Sequence, residues 1–257
     1  MGRKDVTLVL DLETVVDPSL PPPKKKDDGS DTFPAIPLHQ IVVVGAALLD
    51  SSCSLRRIWI VGENEGKGEQ GMLRALVGFL NGHLAKGTTI RIVGFNSRGF
   101  DLPVIVSRCL RHGLSFPWFY RSDARRRYSD ADHLDVMDFL VDHGASRAFS
   151  LDLAARLIGL PGKLDVHGAD VAEMIAAGKL EQVRGYCMSD VVQTTALFLR
   201  VQLLRGELTP AQYVDAVQAL LRGIDQEPRL APLRLLIDRD RLLLHEAPVE
   251  HVQLKVA

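Results

Sequence analysis

The sequence lacks any apolar run near the ~20 residues that a helix needs to cross a bilayer, which argues against a helical membrane span. It is poor in cysteine. Cys53, Cys109 and Cys187 are an odd number, far apart and without metal-ligand spacing, which fits reduced thiols in the cytoplasm better than a disulfide framework. The apolar stretch after Arg3 and Lys4 is too short for a secretory leader. An excess of either charge is also missing. With 31 Lys and Arg against 32 Asp and Glu the formal net charge is −1, so nothing attracts a polyanion globally. A nucleic acid would have to be held by local basic patches or by metal ions. No internal repeat is found. What remains is ordinary globular composition, 46% hydrophobic and 25% charged over 257 residues, enough for one large domain or a domain with an appendage.

Residues 6–13 (VTLVLDLE) predict a strand, apolar until its end. Asp17 to Pro37 is a polar insertion with Pro18, Pro21–Pro23, Lys24–Lys26, Asp27, Asp28 and Gly29, expected to add no core element. Ile41–Leu49 and Leu55–Val61 predict two antiparallel strands turned through Asp50–Ser54. Met72, Leu73, Leu76, Phe79, Leu80 and Leu84 at helical spacing predict a helix over about 69–86. Thr88–Phe95 predicts a fourth strand and 101–113 a helix stopped at Gly113. His133–Leu140 reads equally as strand or helix. Ser150 caps a helix broken by Pro161-Gly162-Lys163, and a long helix runs from about 181 to 205. Another, amphipathic, covers about 210–222. This order predicts an α/β fold with a mixed sheet flanked by helices.

The first strand ends in Asp11-Leu12-Glu13. Strand side chains alternate, so the two carboxylates share one face of an apolar strand, where they repel and resist desolvation. A divalent cation removes that conflict, and Mg²⁺ or Mn²⁺ prefers carboxylate oxygens. Acid-x-acid recurs at Glu63/Glu65, Asp130/Asp132, Asp225/Glu227 and Asp238/Asp240, but only the first pair lies in a strongly apolar strand. A second element, Gly94-Phe95-Asn96-Ser97-Arg98-Gly99-Phe100-Asp101, carries a strand through a turn into a helix opened by Asp101. As a bland reading, Asp101 is an N-cap and Asn96 a turn residue. The third element puts Tyr186 and Asp190 one turn apart on one helix face. Asp in mid-helix is a poor helix former and calls for another reason.

Together these elements resemble the DEDDy-type 3′–5′ exonucleases of the ribonuclease H-like (DnaQ-like) superfamily. The nearest match is the stand-alone bacterial group related to the proofreading domain of family B DNA polymerases. The resemblance spans roughly residues 5–205 and rests on Asp-x-Glu, Gly-Phe-Asn-x-x-x-Phe-Asp and Tyr-x-x-x-Asp, in that order. His133-Leu134-Asp135 and Leu160-Pro161-Gly162-Lys163 also look like that group. It implies a ribonuclease H-like exonuclease domain over 1–205, with 206–257 a short C-terminal helical extension expected to dock on the domain, pair two copies or bind a partner.

The resemblance further implies that Asp11, Glu13, Asp101 and Asp190 hold two divalent ions, Mg²⁺ or Mn²⁺, with Tyr186 orienting the attacking water. Thr14, Asn96, Phe100 and Lys163 would meet the 3′ end of a single strand, DNA favoured, releasing nucleoside 5′-monophosphates. RNA trimming on the same site and a non-catalytic nucleic-acid-binding module are the alternatives. Tyr128…Asp132 and His133…Asp138 spell competing forms of the third motif, the second that of a sister group with a catalytic histidine. The first follows Arg125–Arg127 in a polar stretch and the second comes too soon after Asp101. Arg121 and Arg125–Arg127 form the strongest basic cluster, expected either to grip a strand or to be a solvated face.

Overall fold

The computed structural model describes residues 5–25, 32–63, 68–163 and 168–245. Lys26 to Asp31 of the expected insertion, Glu65 and residues 246–257 of the extension lie outside them, as do Arg3 and Lys4. Five strands form one sheet in the order β3-β2-β1-β4-β5: β1 (Val6–Val16), β2 (His39–Asp50), β3 (Leu55–Ile60), β4 (Ile90–Gly94) and β5 (His133–Asp135). β1 and β2 pair antiparallel, as do β2 and β3, whereas β4 runs parallel to both β1 and β5. The sheet is therefore mixed, as the element order predicts.

The helices are α1 (Gly68–Lys86), α2 (Asp101–His112), α3 (Pro117–Arg121), α4 (Val136–Leu140), α5 (Leu151–Leu157), α6 (Val171–Ala176), α7 (Leu180–Leu204), α8 (Pro210–Gln226), α9 (Ala231–Arg234) and α10 (Arg239–Leu242). The ambiguous 133–140 segment is both things in turn, β5 and then α4, because Asp135 stops the strand and caps the helix by accepting from Asp138 N–H. Ser150 caps α5 in the same way, and Gly113 ends α2 in the left-handed conformation.

Alternation along β1 divides the core. Leu8, Leu10 and Leu12 face one cluster with Leu73, Leu76 and Leu80 of α1 and Val104 and Ile105 of α2. Val9 faces the other, built on α7. That helix is buried nearly all round, as a central packing helix must be. Tyr213, Val217, Leu220 and Ile224 of α8 lie in the same cluster as α7, so α8 packs behind that helix. The Tyr213 hydroxyl also donates to the Leu242 carbonyl at 2.8 Å, joining α8 to α10.

The close approach of α7 to the sheet depends on Gly45, opposite Asp11 in the β1–β2 ladder. A Cβ there would sit 2.9 Å from both Cys187 Sγ and Val191 Cγ2. Gly45→Ala is therefore expected to push α7 outward and cost about 1–3 kcal/mol. Thermal melts of the two proteins check it; an unchanged melting temperature would show that the helix yields freely.

Candidate active site

β1 outruns its parallel neighbour. The β1–β4 ladder ends at Val9–Val93, while β1 continues through Asp11 and Glu13. The crevice beyond the carboxyl ends of parallel strands is where α/β sheets place their sites. Asp11 and Glu13 project toward α7, on the face opposite Leu10 and Leu12.

β4 leaves the sheet at Gly94 and turns through 95–100 into α2. Asn96 takes φ 58°, in the left-handed region that asparagine tolerates. The Asp135 carboxylate accepts from Asn96 N–H at 2.9 Å and Arg98 N–H at 2.8 Å, pinning the turn to β5. Asp101 is the first helical residue rather than the cap, a position held by Phe100. Its side chain is 4% exposed, and Oδ1 is buried without a hydrogen-bond partner. An orphaned carboxylate oxygen in the interior is costly and calls for a cation or proton.

From α7, Tyr186 and Asp190 complete the wall. The four carboxylates and Tyr186 line one cleft of about 610 Å³, with Thr14, Phe33, Pro34, His39, Asn96 and Phe100. Desolvation, then the charges of Glu13, Asp101 and Asp190, raises the Asp11 carboxyl well above the usual range. Desolvation and then Asp190 and Asp101 do the same to Glu13. Burial pushes Asp101 up to about 7 and Asp190 to about 6, the latter opposed by Lys163 and by a hydrogen bond from Tyr186. Burial, then the charge of Asp190, holds the Tyr186 hydroxyl far above its ordinary range, so it remains a neutral donor. Cys187 Sγ lies 3.5 Å from Asp11 Oδ2, and burial raises that thiol too.

Lys163 does not line the cleft but faces it. Its Nζ sits 5.8 Å from the centre of the Tyr186 ring, and its charge acts on Glu13 and Asp190. The turn is held by Gly162 N–H donating to the buried Gln193 at 2.9 Å and Lys163 N–H to Asp152 at 2.9 Å. Gly162 has φ +76°, and a Cβ there would meet Asp152 Oδ1 at 2.3 Å.

The residues of the two other motifs, Tyr128, Asp132, His133 and Asp138, do not line this cleft. His133 is fully buried in β5 against Ser97 Oγ at 2.8 Å, its pKa lowered by burial to about 3, and it does not line the cleft. Asp138 is paired with Arg127 and His143. Tyr128 is 79% exposed. The basic cluster is largely spoken for: Arg125 lies over the Tyr120 ring, Arg126 pairs with Asp123 and Arg127 with Asp138.

The insertion expected to add nothing to the core does more. Asp17 is buried, and Arg108 donates to it and, through two nitrogens, to Glu69. Phe33 and Pro34 form cleft wall, with Phe33 5.2 Å from the His39 ring and 5.8 Å from Phe100. Sequence reading passed over His39, Gly45, Cys187, Phe33 and Arg108. Of these only Gly45 carried a local signal, a lone glycine in an apolar strand, which marks a close backbone approach.

A model of the family described as "Predicted 3'-5' exonuclease related to the exonuclease domain of PolB" matches residues 31–232. The chain belongs to that family. The match begins beyond β1, so Asp11 and Glu13 lie outside it, whereas Asp101, Tyr186 and Asp190 lie within. The exonuclease fold is similar to the family B DNA polymerase from the hyperthermophilic archaeon Pyrobaculum calidifontis, at 18% identity and a TM-score of 0.51. That likeness covers 93% of this chain and 27% of that one, and at this identity concerns the fold. Exonuclease I in an E. coli ExoI–ssDNA complex matches at 15% identity and a TM-score of 0.38, covering 82% of this chain and 41% of that one, too loose to support a conclusion. No curated protein matches. Among the described residues no helix is long and apolar enough to cross a membrane.

Proposed function

We propose that this protein is a metal-dependent 3′–5′ exonuclease that trims single-stranded nucleic acid, DNA before RNA, with two Mg²⁺ or Mn²⁺ ions, releasing nucleoside 5′-monophosphates. The observation that carries the proposal is the convergence of Asp11, Glu13, Asp101 and Asp190, from three separate elements, on one cleft with Tyr186. The donor set fits hard divalent ions: mutually raised carboxyls, and an Asp101 oxygen with no partner. Asp11, Glu13 and Asp190 would hold one ion, and Asp101 with Asp11 the other. Bound there, the ions would lower the pKa of a water and offset charge on the departing oxygen.

The remaining work falls to the chain itself. Tyr186, a poor base at neutral pH, orients the attacking water by a hydrogen bond. Lys163, beside Glu13 and Asp190, meets a substrate phosphate. Asn96 and Phe100 position the last nucleotides, Phe100 by stacking on a base. We assign this chemistry to residues 1–205 and treat 206–257 as an extension whose described part braces α7 from behind. Localisation in the cytoplasm belongs to the same reading, through the reduced thiols.

The test uses 5′-labelled single-stranded DNA and RNA with Mg²⁺ or Mn²⁺. A ladder receding from the 3′ end, stopped by chelator and by Asp11→Ala, supports the reading; cleavage indifferent to a 3′ block overturns it. Tyr186→Phe is expected to lower kcat roughly 10- to 100-fold while KM and calorimetric Mn²⁺ binding stay unchanged. Equal rates would remove Tyr186 from the mechanism.

A further inference from the structure

His39 opens β2, is 5% exposed, and touches no carboxylate of the site. Its Nε2 lies 3.1 Å from the Pro34 carbonyl and its Nδ1 2.9 Å from Thr14 Oγ1. These two contacts determine where the protons are. A carbonyl only accepts, so Nε2 carries the hydrogen. Burial holds the imidazole below its ordinary pKa and therefore neutral, which leaves Nδ1 bare and accepting. The Thr14 hydroxyl must then donate its single proton to His39, and presents only lone pairs to the cleft that it lines.

The β1–β2 register shifts between Glu13 and Thr14, the extra residue being Val42 on β2, and Thr14 shares its strand face with Ile41 and His39 rather than with Glu13. Thr14 thus stands one residue, about 3.3 Å along the strand, beyond the carboxylates. There Phe33, Pro34 and Phe100 wall the cleft. The end of a strand offers one donor common to every nucleotide, its terminal 3′-hydroxyl; base donors differ from one base to the next, and a 3′-deoxy end has none.

We infer that His39 is a positioning residue which, by taking the proton of Thr14, makes that hydroxyl an acceptor that selects strands ending in a free 3′-hydroxyl. This rests on the exonuclease reading above and adds to it the basis on which the strand end is accepted. The side chain of Thr14, rather than backbone alone, does the selecting, and the 33–39 segment is tied to it through Pro34.

The experiment compares single-stranded DNA ending in a 3′-hydroxyl with the same strand ending in a 3′-deoxynucleotide. Cleavage is followed with Mg²⁺, and binding by anisotropy with Ca²⁺ in its place. The wild type is expected to favour the hydroxyl end about tenfold in kcat/KM. His39→Phe, which keeps the ring but neither nitrogen, is expected to cut that preference to about twofold, mainly through the hydroxyl substrate. His39→Gln should restore it, because an amide both accepts from Thr14 and donates to Pro34. Thr14→Val, near in size, should abolish it, and Thr14→Ser retain it. A preference unmoved in His39→Phe and in Thr14→Val overturns the inference while leaving the exonuclease intact. Absence of laddering with every strand instead defeats the exonuclease reading; equal binding of the two ends by the wild type then overturns the inference as well, and tighter binding of the hydroxyl end, lost in Thr14→Val, upholds it.

Discussion

Asp190→Asn is expected to lower kcat/KM for 3′-end trimming by on the order of 10³-fold while raising the melting temperature of the metal-free protein. The two effects have one cause. On the proposed mechanism, removing one of the carboxylates that would hold metal forfeits several kcal/mol of charge stabilisation, at 1.36 kcal/mol per tenfold in rate. In the metal-free protein the same carboxylate is a buried charge facing Glu13 and Asp11, both of whose carboxyls it raises. The cluster's folded pKa values, about 7 for Asp101 and about 6 for Asp190, lie above the ordinary 3.8. Across that window these carboxyls bind more protons in the folded state than in the unfolded one. Their contribution to stability therefore falls as pH rises from about 4 to about 7. Scanning calorimetry in chelator should show the wild-type melting temperature dropping between about pH 5 and about pH 8, less so in Asp190→Asn. Added Mn²⁺ should recover the wild type most at the higher pH. A wild type that gains stability over that range would contradict the account.

Arg108→Met should destabilise the fold by about 3–5 kcal/mol, because removing one partner strands buried charges. Arg108 is 2% exposed, and its guanidinium meets Glu69 at 2.7 and 2.6 Å and Asp17 at 2.9 Å. Glu69 also accepts from Ile41 N–H and engages His112, so the network clamps α1, α2 and β2 together. At ~2–4 °C per kcal/mol for a chain of this size, the melting temperature should drop roughly 6–20 °C. Asp17 titrates at about 2, held down first by hydrogen bonds from Ser19 and then by Arg108. A depressed carboxylate stabilises above its ordinary 3.8, and that contribution is lost as pH falls toward about 2. The variant should therefore lose less on acidification over that range than the wild type. A melting temperature within 2 °C of wild type would show the network to be replaceable by packing.

The strand-turn-helix order, the mixed sheet and the helix limits near α1, α2, α5 and α7 were all legible along the chain. Each follows from periodicity, caps and breakers that act within a few residues. Asp11 and Glu13 were legible for a similar reason: two carboxylates on one face of an apolar strand conflict wherever that strand lies. Asp101 was less so, since Asp opening a helix has an ordinary explanation, which its place after the cap residue Phe100 and its buried, partnerless Oδ1 set aside.

The convergence itself belongs to the tertiary structure. That Tyr186 and Asp190 meet the β1 carboxylates depends on how closely α7 seats on the sheet, hence on Gly45. His39 beside Thr14, and Arg108 between Asp17 and Glu69, join residues 25 and 91 apart in the first two cases and 39 in the third. No local preference records such pairs. By itself the sequence determined which elements form and which side chains carry charge or metal-binding oxygens; the fold alone decided which of them share a cleft, because desolvation and proton sharing arise only when distant segments exclude water from the same small volume.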